Sequence, residues 1–334
     1  MQFLVTGGCG FIGSNFIRKF LTYYPKIKIV NLDALTYAGN PDNLKEFDHS
    51  PQYVFVEGNI CDRTRVDEIL SSFDFDAVFH FAAESHVDRS IIGPSVFLQT
   101  NIIGTHTMLE AARIAWKSKD LNSKRFIHIS TDEVYGALPL GHWDKSLFTE
   151  TTPIAPNSPY AASKASSDLI ARAYYKTYGL PVTITRCSNN YGPYQYPEKF
   201  IPVTIINALL NRPIPVYGDG LYVRDWLHVD DHCNALMYAL TKGRAGEVYN
   251  VGGGCEMHNI DVVRLILSKL GKPESLITHV EDRLGHDRRY AIDASKITKE
   301  LDWKPQIDFQ TGIDGAIGWY VKNESWWSNL IKTE

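Results

Sequence analysis

The sequence has few cysteines, and their spacing does not suggest a metal site or a disulfide framework. Its 334 residues include five cysteines, an odd number, and no two of them form a CxxC pair. Small disulfide-stabilised domains and zinc-binding domains carry paired or closely spaced cysteines. We therefore expect no bound metal and a reducing compartment, for which the cytoplasm is the simplest choice.

Long apolar runs and an excess of positive charge are also missing. No apolar run approaches the roughly 20 residues of a membrane-spanning helix, and the sequence leads directly into a strand pattern without the features of a signal peptide. The formal net charge at pH 7 is -4, whereas proteins that bind nucleic acid or lipid surfaces usually present broad basic surfaces. We expect no membrane or nucleic-acid partner, so a few local residues must hold any anionic ligand.

Short β-branched runs alternate with longer segments of helical periodicity in the first half of the chain. This alternation is typical of a parallel sheet wound by crossover helices. The expected fold class is α/β, a Rossmann-like doubly wound parallel sheet with a smaller C-terminal α/β substrate lobe. The predicted strands are residues 2–6, 28–33, 53–57, 77–82, 125–131 and 182–188.

After about residue 190 the pattern changes to shorter strands, turns and shorter helices, without internal repeats. Residues 248–251 form one further strand-like run, which predicts a return of the chain to the first sheet. We expect a Rossmann-like domain at residues 1–190, with a later return near 225–260. Residues 191–330 should mainly form the substrate-binding lobe.

Three glycines after the first predicted strand are spaced as in a dinucleotide-binding turn. Gly7, Gly10 and Gly13 have GxxGxxG spacing and open an amphipathic helix. Backbone amides and the helix dipole can hold a pyrophosphate there, and the glycines allow its close approach. The motif alone is weak evidence, because a glycine-rich turn can also simply pack a helix tightly.

Asp33 strengthens this interpretation. It ends the second predicted strand, 20 residues after Gly13, where a carboxylate can accept hydrogen bonds from an adenosine ribose. A turn residue at a strand end is the simpler alternative. Because the carboxylate would repel a 2′-phosphate and no arginine follows it, the sequence favours NAD over NADP.

The ends of two further strands would line the rest of the cofactor site. By their position in the fold, Asn59 and Ile60 would flank the adenine, and Ala82 and Ala83 would line the nicotinamide side. These residues could equally serve only to pack the sheet.

A tyrosine and a lysine at YxxxK spacing suggest the chemistry. Tyr160 and Lys164 share one face of a predicted helix. A phenol with a pKa of about 10 is a poor base at neutral pH, but a neighbouring ammonium and the cationic nicotinamide both favour the phenolate. Tyr160 could then remove a hydroxyl proton as hydride leaves the carbon, while Lys164 bonds the nicotinamide ribose. An exposed helix with an incidental Tyr and Lys is the alternative.

The fifth predicted strand ends in a hydroxyl and two carboxyls, those of Thr131, Asp132 and Glu133. They fall at the carboxyl edge of the sheet, where doubly wound folds bind ligands. Elimination of water needs a base for the proton next to a ketone and an acid for the departing hydroxyl. Two neighbouring carboxyls can hold different pKa values and divide these roles. A solvated turn or helix cap is the alternative.

Taken together, these motifs resemble the dTDP-glucose 4,6-dehydratase family of extended short-chain dehydrogenases, over nearly the whole chain. The TDE and GHDRRY segments are the most specific. The matching segments are TGGCGFIGSN (6–15), LDALTYAG (32–39), AAESHVDRS (82–90), STDEVYG (130–136), SPY (158–160), RCSNNYGP (186–193), VRDW (223–226) and GHDRRY (285–290).

The resemblance implies that bound NAD is reduced and regenerated while a nucleotide-diphosphate glucose becomes a 4-keto-6-deoxy sugar. Tyr160 would deprotonate the C4 hydroxyl as hydride passes to NAD, with Thr131 bonded to the C4 oxygen. Glu133 would take the C5 proton, Asp132 would protonate the departing C6 hydroxyl, and hydride would return to C6.

The resemblance also implies further ligand contacts. Phe11, Ile12, Thr100 and Asn190 would contact NAD. Arg224 is the best candidate to bind the diphosphate, because a guanidinium can bond phosphate oxygens in pairs, although a surface ion pair is the alternative. The implied nucleotide-sugar contacts are Ser85, Thr131, Asn189, Lys199, Pro215, Tyr217, Arg224, Asn259, Arg283 and His286.

Two positions depart from the family pattern, which often has Asp at Asn59 and Pro at Leu284. Asn59 keeps an acceptor oxygen for the adenine, whereas the loop carrying Arg283 would be less rigid. The resemblance further implies a homodimer formed through two long helices of each subunit, predicted near residues 94–117 and 160–178. Their apolar positions could equally face their own core.

Three other functions stay open. The sequence does not separate dTDP-glucose from UDP-glucose, because one methyl group distinguishes the two bases. A nucleotide-sugar 4-epimerase would share the fold, NAD, Tyr160 and Lys164, but would have no use for Asp132 and Glu133. A non-catalytic sensor of NAD or nucleotide sugars could lose these four residues without penalty, yet all are present.

Overall fold

The computed structural model describes residues 1–139 and 145–331. Within them, the strands are β1 (Gln2–Thr6), β2 (Lys28–Asp33), β3 (Tyr53–Glu57), β4 (Ala77–His80), β5 (Arg125–Thr131), β6 (Val182–Cys187), β7 (Asn189–Tyr191), β8 (Ile214–Tyr217), β9 (Val223–His228), β10 (Val248–Val251), β11 (Glu256–His258) and β12 (Ile277–Val280).

The α-helices cover the sheets and connect the strands. A π-helical turn, Leu98–Gly104, joins α4 to α5, and 3-10 turns occur at Pro41–Phe47, Leu121–Ser123, Asp132–Tyr135 and Glu274–Leu276. The helices are α1 (Phe11–Tyr23), α2 (Arg63–Ser72), α3 (Val87–Ile92), α4 (Pro94–Phe97), α5 (Thr105–Ala115), α6 (Pro159–Tyr178), α7 (Phe200–Leu209), α8 (Val229–Lys242), α9 (Asn259–Leu270), α10 (Ser295–Leu301), α11 (Phe309–Lys322) and α12 (Glu324–Leu330).

Seven parallel strands form the main sheet in the order β3, β2, β1, β4, β5, β6, β10. The direction of winding reverses between β1 and β4, which opens a crevice at the carboxyl ends of the strands. The predicted α/β class with a doubly wound parallel sheet is therefore confirmed. β4 ends two residues earlier than predicted, because the Ala82 amide bonds the Thr6 hydroxyl at 3.2 Å instead of the strand ladder.

Apolar side chains cover both faces of this sheet. Phe79 packs with Phe16 and Leu236 on one face, whereas the preceding residue, Val78, packs with Met108 and other side chains on the opposite face. Successive residues of a strand point to opposite faces. Burial of both faces explains why these strands are continuous apolar runs.

The rest of the chain builds smaller sheets beyond the carboxyl end of β6. β7 begins two residues after β6 ends and pairs with β9, which also pairs antiparallel with β11. β8 and β12 form a separate parallel pair. Helices α7, α9 and α11 pack on these strands around a core that includes Trp226 and Ile313. This arrangement places β9 and the 281–290 segment opposite the edge of the main sheet.

A buried ion pair fixes the helix that follows the acidic turn. The Arg186 guanidinium on β6 donates to the Asp168 carboxylate on α6 at 2.8 Å and to the Tyr135 hydroxyl at 2.9 Å. Burial by itself would raise the pKa of Asp168, but Arg186 and His128 outweigh it and lower that pKa to about 2. These contacts hold α6, β6 and the turn that follows β5 in one fixed arrangement.

No helix in the described part of the chain is both long enough and apolar enough to cross a bilayer.

Candidate active site

Two adjoining cavities at the carboxyl edge of the main sheet contain every site residue predicted from the sequence. The first, of about 340 Å³, is lined by all predicted cofactor contacts and all predicted catalytic residues. The second, of about 280 Å³, is lined by the remaining predicted nucleotide-sugar contacts. Ser85, Glu133, Asn189 and Lys199 line both cavities, which therefore form one cleft.

The glycine-rich turn shapes one end of the first cavity. Gly7 has a φ of +71°, and a Cβ on Gly13 would lie 2.4 Å from the Gly7 carbonyl oxygen. Helix α1 begins at Phe11, and its cap residue Gly10 makes no side-chain hydrogen bond to the first turn. The amides at the start of α1 are thus available to an anionic group, as pyrophosphate binding requires.

Asp33 lies at the end of β2, where two backbone amides orient its carboxyl group. The amides of Cys9 and Leu35 each donate to one of its oxygens at 2.8 Å. Burial raises the pKa of Asp33, and these two hydrogen bonds oppose the rise. A Cβ on Gly39 would lie 2.8 Å from the same carboxylate. The Asp33 carboxylate, the acceptor that a ribose needs, is therefore held in place. Gly39, which has no side chain, leaves space beside this carboxylate.

Asn59 lines the same cavity, but its oxygen already takes part in a local turn. It accepts a hydrogen bond from the Cys61 amide at 2.9 Å. An amide oxygen has a second lone pair, so one acceptor position is left for a ligand.

Helix α6 carries Tyr160 and Lys164 into the cleft. Ser158 caps the helix through the Ala161 amide at 3.1 Å, and the Tyr160 amide bonds the Ser90 hydroxyl at 3.2 Å. Lys164 donates to the Ile129 carbonyl oxygen of β5 at 2.8 Å. Burial lowers the pKa of Lys164 to about 8, although Asp168 opposes this effect. The hydrogen bond to Ile129 therefore fixes the Lys164 ammonium against strand β5 of the main sheet.

The Tyr160 phenol is strongly biased toward its neutral form in the chain alone. Burial raises its pKa well above the usual value, and the carboxyl of Glu133 adds to the rise, while the Thr131 hydroxyl opposes it. Lys164 is not among the largest influences on this pKa.

The acidic pair begins the 3-10 turn that follows β5. The Thr131 hydroxyl accepts from the Glu133 amide and donates to an Asp132 carboxyl oxygen, both at 3.3 Å. Asp132 is only 2% exposed. Its second oxygen has no hydrogen-bond partner within residues 1–139 and 145–331. This carboxyl group is therefore placed to interact with a ligand.

The two carboxyls have different electrostatic surroundings. Burial, together with the charges of Glu133 and Asp225, raises the pKa of Asp132 well above its usual value. Burial also raises the pKa of Glu133, but the cations Arg224, Arg283 and Lys199 oppose that rise. Asp132 is thus suited to donate a proton, and Glu133 to accept one.

Arg224 provides a buried positive charge beside the acidic turn. Its guanidinium donates to the Val223 carbonyl oxygen at 2.8 Å and lies 4.3 Å from the centre of the Tyr290 ring. Burial lowers the pKa of Arg224. Across the described residues, no carboxylate oxygen comes within 4.0 Å of this guanidinium. A buried cation without a close carboxylate is suited to bind an anionic group such as a diphosphate.

Other charged and aromatic groups border the second cavity. Arg283 lies 3.3 Å from the Asp88 carboxylate and over the Tyr217 ring at 4.9 Å. The His286 ring stacks on Tyr222 with the ring centres 3.7 Å apart. These contacts bring the 281–290 segment against α3, so the cavity has walls from both halves of the chain.

Several polar atoms around the second cavity are available to a ligand. The side-chain oxygens of Asn189 and Asn259 and the indole nitrogen of Trp226 are buried and have no hydrogen-bond partner in the described part of the chain. Buried polar groups are usually hydrogen-bonded. A bound polar molecule would supply these missing partners.

The sequence reasoning did not assign some residues that line the cleft. Asp88 and Tyr290 stand inside matching segments, but no chemical argument separated them from their neighbours. Gln195 and Glu198 lie in loop sequence without a recognisable pattern. The unassigned lining residues also include Glu84, Ser130, Cys187, Tyr196 and Asp287.

The glycine-rich turn generates a direct prediction. Gly13→Ala places a methyl group against the Gly7 carbonyl, and overpacking of this kind costs about 1–3 kcal/mol. We expect calorimetry to show NAD affinity reduced about 10- to 100-fold. Gly315→Ala in α11, where no atom lies within 4 Å, should bind NAD normally. Unchanged affinity in a folded Gly13→Ala protein would contradict a cofactor role for the turn.

Comparisons with known proteins agree with this geometry. The family model described as GDP-mannose 4,6 dehydratase matches residues 4–315. The chain is 54% identical to dTDP-glucose 4,6-dehydratase of Xanthomonas campestris pv. campestris (strain B100), over 98% of this chain and 95% of that protein.

Solved structures give the same result. DesIV, the dTDP-glucose 4,6-dehydratase of Streptomyces venezuelae solved with NAD and TYD bound, superposes with a TM-score of 0.93 at 49% identity and covers 99% of this chain and 100% of its own. UDP-glucose 4-epimerase of Thermotoga maritima is more distant, with a TM-score of 0.87 at 30% identity over 97% and 100% of the two chains. The resemblance noted in the sequence is confirmed, and the chain belongs to the dTDP-glucose 4,6-dehydratase family.

Proposed function

We propose that this protein is an NAD-dependent hydro-lyase that converts dTDP-glucose to dTDP-4-keto-6-deoxyglucose. The observation that carries the proposal is the acidic pair formed by the buried Asp132 and the half-buried Glu133, which lines the cleft together with Tyr160. Relatives about half identical over nearly their whole length are named dTDP-glucose 4,6-dehydratase, which supports the same substrate here.

NAD fits the first cavity by the chemistry of its lining. The amides at the start of α1 would hold the pyrophosphate, and Asp33 would accept hydrogen bonds from the adenosine ribose. Asn59 and Ile60 would flank the adenine, and Lys164 would bond the nicotinamide ribose. When bound, NAD supplies the hydride acceptor for C4 and the hydride donor for C6.

Tyr160 and Thr131 act on the C4 hydroxyl in this proposal. The phenolate of Tyr160 takes the hydroxyl proton while the carbon is oxidised, and Thr131 holds the oxygen through its hydroxyl. Lys164, fixed by the Ile129 carbonyl, contributes positive charge near the phenolate. Oxidation at C4 makes the C5 proton acidic, because the new carbonyl can delocalise the charge left on C5.

The acidic pair then eliminates water across C5 and C6. Glu133 removes the C5 proton, since nearby cations oppose the rise of its pKa. Asp132 protonates the C6 hydroxyl as it leaves, since its raised pKa favours the protonated form. Arg224 lies next to this pair and would bind the diphosphate, with the other substrate contacts placed around the second cavity.

The acidic pair also decides against the main alternatives. A 4-epimerase needs the proton and hydride transfers at C4 but has no step for Asp132 and Glu133. A sensor needs neither these groups nor the buried placement that raises their pKa values. UDP-glucose is the closest competing substrate, because it differs at the base by one methyl group.

Proton NMR of the substrate tests this proposal. Incubating dTDP-glucose with the purified protein and no added reductant should give a new C6 methyl signal, and UDP-glucose should react more slowly. Glu133→Gln should bind NAD normally yet lower the rate at least about 100-fold, because general-base catalysis typically contributes this much. An unchanged wild-type spectrum or a C4 epimer would contradict the proposal, and full activity of Glu133→Gln would remove only its base role.

We also propose that two parts of the chain bind different ligands. Residues 1–190, with a return near 225–260, would bind NAD, and residues 191–330 would mainly bind the nucleotide sugar. The position of β10 beside β6 supports the return. Catalytic side chains come from the first part, whereas Arg224 and Arg283 come from the second.

We further propose a homodimer formed through α4 to α5 and α6. Five apolar side chains on these neighbouring helices are 46–56% exposed. Four of them lie on the segment from α4 to α5, namely Val96, Leu98, Ile103 and Ile114, and the fifth is Leu169 on α6. Contiguous exposed apolar surfaces usually mark interaction sites. A two-fold partner presenting the same helices would cover them.

Light scattering coupled to size exclusion tests the dimer. Leu169→Arg should shift the protein from dimer to monomer, because a charge would be buried without a partner. Val321→Arg, at a similarly exposed apolar residue on α11, should leave the dimer intact. A monomeric wild type, or equal effects of both substitutions, would contradict this interface.

The cytoplasm is the proposed location, supported by five cysteines that are all free thiols. Cell fractionation should place the protein with cytoplasmic markers, and recovery with membranes or in the medium would contradict this.

A further inference from the structure

Helix α12, close to the C-terminus, contacts the part of the chain that holds the proposed NAD turn. The helix belongs to the smaller lobe, where its Trp327 is buried in the core. The preceding residue, Trp326, is half-buried and donates its indole N–H to the side-chain oxygen of Asn43 at 2.8 Å. Asn43 lies in the 3-10 turn at Pro41–Phe47. This hydrogen bond therefore joins α12 to the first half of the chain.

The other end of the Asn43 amide group contacts the glycine-rich turn. Its nitrogen donates to the Cys9 carbonyl oxygen at 2.9 Å, and Asn43 is only 1% exposed. An indole nitrogen can donate a hydrogen bond but not accept one. Trp326 therefore selects the orientation of the amide in which its nitrogen faces Cys9. Removal of the indole N–H would leave the Asn43 oxygen without this partner, and unpaired buried polar groups are unfavourable.

Cys9 is held through both of its backbone polar groups. Its amide donates at 2.8 Å to the Asp33 carboxylate, the acceptor proposed for the adenosine ribose. Its carbonyl belongs to the same planar peptide unit as the Gly10 amide. Gly10 caps α1 and lines the first cavity. The hydrogen bond from Asn43 to the Cys9 carbonyl therefore fixes the direction of a backbone amide at the proposed pyrophosphate site.

Packing from both halves of the chain holds the Trp326 indole in place. The rings of Tyr194 and Trp319 lie against it, with their centres 5.9 and 5.0 Å from its own. The Arg18 guanidinium of α1 lies 4.3 Å from the centre of the Tyr194 ring and donates to the Asn43 carbonyl oxygen. The indole N–H is thus directed at Asn43 by contacts that do not depend on a ligand.

We propose that Trp326 is a positioning residue that slows the release of bound NAD, acting through Asn43 and Cys9. The inference rests on the proposed function, in which hydride leaves the sugar for NAD and returns to the same sugar. A cofactor that left between these steps would leave the sugar oxidised. In the described part of the chain, Trp326 is not among the residues that line either cavity. Its effect therefore falls on cofactor retention and not on the sugar chemistry.

Exchange of bound NAD for deuterium-labelled NAD tests this role. The holoenzyme is mixed with excess labelled NAD, and mass spectrometry follows the label in the bound cofactor. Trp326→Phe keeps an aromatic ring and removes the N–H. We expect exchange about 3- to 10-fold faster, the ratio that corresponds to the net free energy of one hydrogen bond. The kcat for dTDP-glucose should stay unchanged at saturating NAD.

Trp327→Phe is the matched control on the same helix. The Trp327 indole also donates one hydrogen bond at 2.8 Å, but to the Tyr320 carbonyl oxygen within the smaller lobe. Because Trp327 is 2% exposed and Trp326 is half-buried, the control should lower the Tm at least as much while NAD exchange stays normal. No acceleration in Trp326→Phe, or equal acceleration by both substitutions, would overturn the inference.

Asn43→Ala shows whether Trp326 acts through Asn43. It should itself accelerate NAD exchange, and adding Trp326→Phe should accelerate it no further, because the acceptor is already gone. Additive effects would overturn the inference. If Trp326→Phe does not fold, Asn43→Ala tests the inference alone, and normal exchange in that variant would contradict it. A wild type that binds no NAD would instead overturn the proposed function, and this inference with it.

Discussion

Two neighbouring acidic side chains follow β5, the buried Asp132 and the half-buried Glu133, and the rest of the site is arranged around them. Ionised carboxyls are costly to bury without compensation, and here the compensation is unequal. Three cations oppose the pKa rise of Glu133, whereas Asp132 faces the carboxyls of Glu133 and Asp225, and among its largest influences only Arg224 opposes the rise through its charge. We therefore propose that Asp132 acts as the acid and Glu133 as the base because of this difference in surroundings.

The parallel sheet meets this constraint by bringing distant segments to one edge. β5 supplies the acidic turn and the carbonyl that fixes Lys164, while α6 supplies Tyr160 and Lys164. The buried pair of Arg186 and Asp168 ties β6 to α6. The cations that balance Glu133 come from β9, from the 281–290 segment and from the start of α7. The acidic turn and the three cations therefore come from distant parts of the chain that meet at one cleft.

Much of this arrangement could be predicted from the sequence, because several patterns report on local geometry. The β-branched runs predicted the strands of the main sheet, and the glycine spacing with Asp33 indicated a dinucleotide site. The sequence contains no comparable pattern for contacts between distant segments of the chain. The Arg283–Asp88 pair and the unpartnered oxygens of Asn189 and Asn259 depend on how the lobes pack. The YxxxK spacing also carries no sign that burial is the largest influence on the pKa of Tyr160.

In the proposed reaction, one site oxidises, dehydrates and reduces the same sugar without releasing hydride to solvent. The most direct test uses dTDP-glucose carrying deuterium at C4, with the protein in ordinary water, and locates the label in the product by NMR and mass spectrometry. The account predicts that the deuterium appears in the C6 methyl group of the 4-keto-6-deoxy sugar. Loss of the label to solvent, or its retention at C4, would contradict it.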